Sequence, residues 1–194
     1  MDSINTTLLP RNPSSSGPHI AHIQNDIISI LAPFSALILS IILIIYFVLR
    51  YYVLEPLLPI FYGATFTSMS ETVRRGFVNH HIAGITKILI LIIAAYPFIA
   101  VAFVSSNLHS PFGGSKYVTL GDILIIAAQM LMGMYIFELF YRTKISPVSA
   151  GHHVGTVMIG QSAIAISLRL VGQKDATIEF ILCTVWGMSL FSLV

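Results

Sequence analysis

The sequence predicts an all-α protein: a multi-pass transmembrane helix bundle of about five spans. Three observations carry that expectation. The chain of 194 residues is 56% hydrophobic but only 9% charged, far below the charge content of a soluble domain. Its mean hydropathy is +0.86. The apolar residues also arrive in long blocks rather than in the alternation of a half-buried strand. A soluble globular domain is excluded on these grounds. A nucleic-acid-binding protein is excluded too, because the formal net charge of +2 is small and dispersed.

The elements follow in order. Residues 1–25 are rich in Ser, Pro and Asn and contain no apolar core of signal-peptide length, so they read as a disordered tail. The first span runs from Ile27 to Leu49 without a charge. At 1.5 Å per residue it covers about 34 Å, enough to cross the hydrocarbon. The apolar stretch that follows is interrupted by Pro56, Pro59 and Gly63. Residues 26–69 are therefore expected to hold one transmembrane helix and an interfacial segment.

A second span is expected from Ile82 to Val104, with Lys87 near its start and Pro97 inside it. A third covers Thr119 to Phe140, and a fourth Val148 to Val171. A fifth starts near Thr177 and is still apolar at Val194. That predicts a last helix that is short, or a chain truncated within it. The single cysteine, Cys183, allows no intrachain disulfide.

Basic residues give an orientation. Arg50, Arg74, Arg75 and Lys87 follow the first span, and Arg142 and Lys144 follow the third. The alternate side holds Arg11, Lys116 and Lys174. The richer side is expected to be cytosolic and the N-terminus lumenal. Asn5-Thr6-Thr7 fits an N-glycosylation pattern, which a lumenal tail would expose.

The fourth span carries the most chemistry. At 100° per residue, Ser149, His152, His153, Thr156, Gly160, Ala163 and Ser167 share about a third of the helix circumference. Val154, Met158, Ala165 and Leu168 lie toward the other side. Small residues let helices approach closely, so the first face should look into the bundle. His152 and His153 open that face. An imidazole titrates near neutrality and serves as base, acid or nucleophile. The pair reads either as a site or as polar residues at the membrane interface. Glu138 sits four residues before Arg142, the spacing of a helical ion pair. An acid at that depth also marks a functional site. Asn79-His80-His81 provides two further imidazoles on the same side. The HxxxH and HxxHH boxes of membrane di-iron oxygenases are missing, so no metal site is expected.

The stretch ELFYRTKISPVSAGHHVGTVMIGQSAIAISLRLVG, with its basic loop leading into a histidine pair and small residues, resembles the TLC-domain family. That family groups translocating-chain-associated membrane proteins, ceramide synthases and a lipofuscinosis protein. The resemblance covers residues 70–194, and RRGFVNHHIAGITKI is similar to the start of the domain. It implies an endomembrane protein, of the endoplasmic reticulum, acting in lipid homeostasis. Its cavity would bind a membrane lipid or acyl chain, with Thr156, Gly160 and Glu138 as lipid-binding residues. Carried over from the synthases, His152 and His153 would be catalytic in acyl-CoA-dependent N-acylation of a sphingoid base. Acyl-CoA would then be a substrate, and no cofactor is implied. SPVSAG stands where synthases have an acid before the pair, and Asp175 and Glu179 replace their paired aspartates at a different spacing. The likeness is thus to the non-synthase branch. A membrane chaperone or trafficking component needs the same spans and is the remaining expectation.

Overall fold

The computed structural model describes residues 28–104 and 106–169. The tail, and the expected fifth span from Thr177, lie outside the described residues. Among the described residues the protein is helical with one isolated bridge, between Pro111 and Thr119. Three helices are long and apolar enough to cross a membrane: α1 (Ala32–Tyr62), α3 (Glu71–Phe103) and α4 (Leu120–Tyr141). A single turn, α2 (Ala64–Thr67), follows α1. The helix α5 (Pro147–Arg169) coincides with the expected fourth span but is not among those three.

α1 differs from expectation. It does not stop near Leu49 but runs on to Tyr62, past Pro56 and Pro59. The reason lies in Leu49–Leu54, which is wound as a π-helix. Its wider turn leaves main-chain groups outside the regular i→i−4 ladder, where the missing Pro56 N–H removes little. Pro56 sits in the first turn of the α-helical segment that follows. Pro59 lies inside that segment and leaves the Glu55 carbonyl without its i→i−4 donor. The break comes instead at Gly63, with φ 54° and ψ −136°, a conformation that side chains resist.

α3 also starts earlier than its apolar core. Its 33 residues span about 50 Å, well beyond a hydrocarbon core of about 30 Å. The extra N-terminal turns carry Glu71, which pairs with Arg74 and, at 2.7 Å, with Arg75. α4 is delimited by chemistry written in the sequence. Thr119 accepts from the Asp122 backbone N–H at 3.2 Å, and Asp122 accepts from the Thr119 N–H at 2.9 Å. This is a reciprocal capping box. Asp122 also accepts from the Ser29 hydroxyl, tying the entrance of α1 to that of α4.

α4 is the central helix, with α1, α3 and α5 packed around it. Leu124, Ile125, Leu131, Met132, Met134 and Phe137 are buried on different sides of it, as a helix surrounded by others must be. α1 runs parallel to α4. Tyr46 donates to the Met130 carbonyl at 2.9 Å, and further along both helices Arg50 reaches the Tyr141 hydroxyl. The approach is close because Gly133 has no side chain. A Cβ there would stand 2.9 Å from Ile42 Cγ2. The outer face of α1 presents Leu37, Ile41, Ile44 and Val48, the surface expected of a helix against lipid.

Candidate functional site

The site forms where α4 and α5 run antiparallel. Gln129 on α4 meets Gln161 on α5, and Glu138 further along α4 meets His153 further back on α5. The face expected to look inward does so. His153, Thr156, Gly160, Ala163 and Ser167 are buried, and Ser149 and His152 are half-buried. Val154, Met158, Ala165 and Leu168 are exposed. The Arg169 side chain lies outside the described residues.

Glu138 organises the cluster. One carboxylate oxygen accepts from Arg142 Nη1 at 2.5 Å, closing the i,i+4 pair expected from spacing. The other oxygen lies 3.3 Å from His153 Nε2, within ion-pair reach but outside hydrogen-bond geometry. Glu138 is buried, as is His153. The adjacent histidines diverge as 100° of helical turn requires. Only His153 faces the carboxylate.

Tyr135 completes the cluster. Its ring stacks on His153 with centroids 4.3 Å apart and planes 13° apart, and it meets His152 edge-on at 5.6 Å. The Thr156 hydroxyl donates to the His152 carbonyl at 2.9 Å. Gly160, one turn further along α5, adds no side chain to the same inward face. Three ring nitrogens remain buried without a hydrogen-bond partner: Nε2 of His152, and Nδ1 and Nε2 of His153.

A comparison with protein-family models, with curated proteins and with solved structures returns no match. The chemistry therefore has to be read from the site itself. A carboxylate that already accepts from a guanidinium can only accept from the imidazole it faces. This favours the proton on Nε2 and leaves His153 Nδ1 as an acceptor lone pair. The arrangement can therefore receive a hydrogen-bond donor, or take a proton from one. The Tyr135 ring restricts how His153 can turn.

The second histidine pair is used differently. His81 on α3 bonds the Phe77 carbonyl through Nδ1 at 2.9 Å and the Tyr62 hydroxyl through Nε2 at 3.0 Å. It joins the end of α1 to α3. Among the described residues no three His, Cys, Asp or Glu side chains group closely enough to hold a metal ion.

Residue-by-residue reading of the chain did not single out Tyr135, Gln129 or Gln161. The two glutamines carried a signal, being polar side chains inside apolar spans. Gln161 donates to Gln129 at 3.0 Å, and Gln129 is fully buried. Tyr135 lies one helical turn before Glu138, the register that brings both onto α5.

Proposed function

We propose that this is a multi-pass endomembrane protein of membrane lipid homeostasis that binds a lipid or acyl chain between α4 and α5. The observation that carries this reading is the two buried ring nitrogens that face no partner, Nε2 of His152 and Nδ1 of His153. A polar group left unpaired in an apolar setting costs about 1–3 kcal/mol by the effect of mutations in proteins. A bundle in lipid has no bulk water to offset that. The polar end of an amphiphile, entering beside Glu138 and the histidines, would supply the partners. Its chain would follow the small face past Thr156 and Gly160. The resemblance to TLC-domain proteins points to the same residues.

The orientation and compartment belong to the same proposal. Arg50, Arg74, Arg75, Arg142 and Lys144 flank the histidine end, and this basic bias supports a cytosolic histidine end with the N-terminus on the lumenal side. A cytosolic mouth is where a lipid or an acyl-CoA would arrive.

The Glu138–His153 pair favours a second reading, acyl-CoA-dependent N-acyl transfer. In it, His153 Nδ1 takes a proton from a sphingoid amine as the amine nitrogen bonds to the thioester carbonyl carbon. The C–S bond then breaks, and CoA leaves as a thiolate that recovers the proton. Release of free CoA from acyl-CoA and a sphingoid base by the reconstituted protein tests this directly.

The lipid-binding reading is tested with a photoactivatable fatty acid and the full chain in nanodiscs. The expected result is crosslinking to α4 and α5 peptides, strongly reduced in His153→Ala and Glu138→Gln. Labelling confined to the outer face of α1, or unchanged in both variants, would overturn it. The protein would then read as a chaperone or trafficking component with structural histidines.

A further inference from the structure

The polar surface between α4 and α5 does not end at the histidines. Gln161 donates its Nε2 to Gln129 Oε1 at 3.0 Å, but Gln129 Nε2 has no acceptor. Two carboxamides facing one another can close a reciprocal pair of N–H···O bonds. Here one is closed and the donor end of a fully buried side chain is left open. The open group is a donor, so what completes it must be an oxygen acceptor.

Its place along the helices is informative. Gln129 lies nine residues before Glu138 on α4, and Gln161 eight residues after His153 on α5. Both intervals correspond to about 13 Å of helix. Thr156 and Gly160 occupy the interval on α5 with little side-chain volume. A chain whose polar end sits at His153 and Glu138 would therefore pass the Gln129 amide about 13 Å deeper.

We infer that the α4–α5 surface selects a lipid with a second oxygen function, a hydroxyl or carbonyl, about 13 Å from its polar end, held by the Gln129 amide. This inference rests on the lipid-binding reading and adds a substrate class to it. An unfunctionalised chain fills the same path but leaves the Gln129 donor open. An oxygenated chain closes it.

The test compares stearic acid with its mid-chain hydroxylated analogue, each displacing a fluorescent fatty acid from the full chain in nanodiscs. The hydroxylated lipid is expected to bind about threefold to tenfold more tightly, the range one net hydrogen bond provides. Gln129→Met, close in size, should abolish the preference, so that the two lipids displace the probe equally. Gln129→Asn, with the amide on a shorter arm, should reduce it. Equal binding of the two lipids by the native chain overturns the inference and leaves the lipid-binding reading standing. So does a preference that survives in Gln129→Met. A Gln129→Met protein with raised thermal stability and no change in lipid preference means that a water molecule holds the amide, which also overturns it. If neither lipid displaces the probe, the lipid-binding reading fails and takes the inference with it.

Discussion

Glu138 and His153, on different helices, face one another across the α4–α5 contact with Oε2 and Nε2 3.3 Å apart. Arg142 occupies the other oxygen of the same carboxylate. One acid thus serves as a helical ion-pair partner and as the group that faces a buried imidazole.

Removing that acid should be felt in both places. Glu138→Gln leaves Arg142 and His153 without their anion, and we expect a loss of about 1–3 kcal/mol in stability. Arg142→Gln should cost less, because that side chain is 36% exposed and water can replace it. Thermal unfolding of both variants in detergent checks the order. Equal losses would contradict the central role given to Glu138.

Close helix contacts set a second expectation. A Cβ on Gly121 would lie 2.0 Å from the Ile28 carbonyl oxygen, which is backbone. On Gly133 it would meet the Ile42 Cγ2 methyl at 2.9 Å. A side-chain methyl yields more readily than main chain. Gly121→Ala should therefore exceed Gly133→Ala in cost, the latter falling in the range of about 1–3 kcal/mol for overpacking. The comparison is read from the same unfolding measurement, and the reverse order would refute it.

Arg50 provides a third. It is almost fully buried, pairs with Glu55 and the Tyr141 hydroxyl, and lies 5.0 Å from both the Tyr51 and Tyr141 ring centroids. Arg50→Lys keeps the charge but loses the planar fork and the stacking. We expect it to destabilise the protein by about 1–2 kcal/mol, and Tyr141→Phe by a similar amount. Native-like unfolding temperatures for both would show that the π-helical segment does not depend on this contact.

Orientation can be checked with single cysteines in a Cys183→Ser background. Thr143→Cys should react with a membrane-impermeant maleimide added to the cytosolic side of sealed microsomes. Ser115→Cys should react only after the membrane is opened. The opposite pattern would invert the proposed topology and remove acyl-CoA access from the cytosolic side.

Much of the site was legible along the chain. The 100° periodicity placed His153, Thr156, Gly160, Ala163 and Ser167 on one face of α5, and that face is buried. The third span was expected to begin at Thr119, where α4 is capped, and the Glu138–Arg142 spacing marked an ion pair. All of these depend on residues within a turn or two of each other, where helical geometry alone fixes the relationship.

The proline-containing end of α1 was not legible, because proline disrupts an ideal α-helix whereas the preceding turn is π-wound. Nor was the choice of α4 as the central helix, or the meeting of Glu138 with His153, Tyr135 with His153 and Gln129 with Gln161. Inside a membrane an apolar face can lie against lipid or against another helix at similar hydrophobic cost. Sequence periodicity therefore determined which face of α5 is turned inward. Only close packing and hydrogen bonding between helices, decided in the tertiary structure, determined what that face meets.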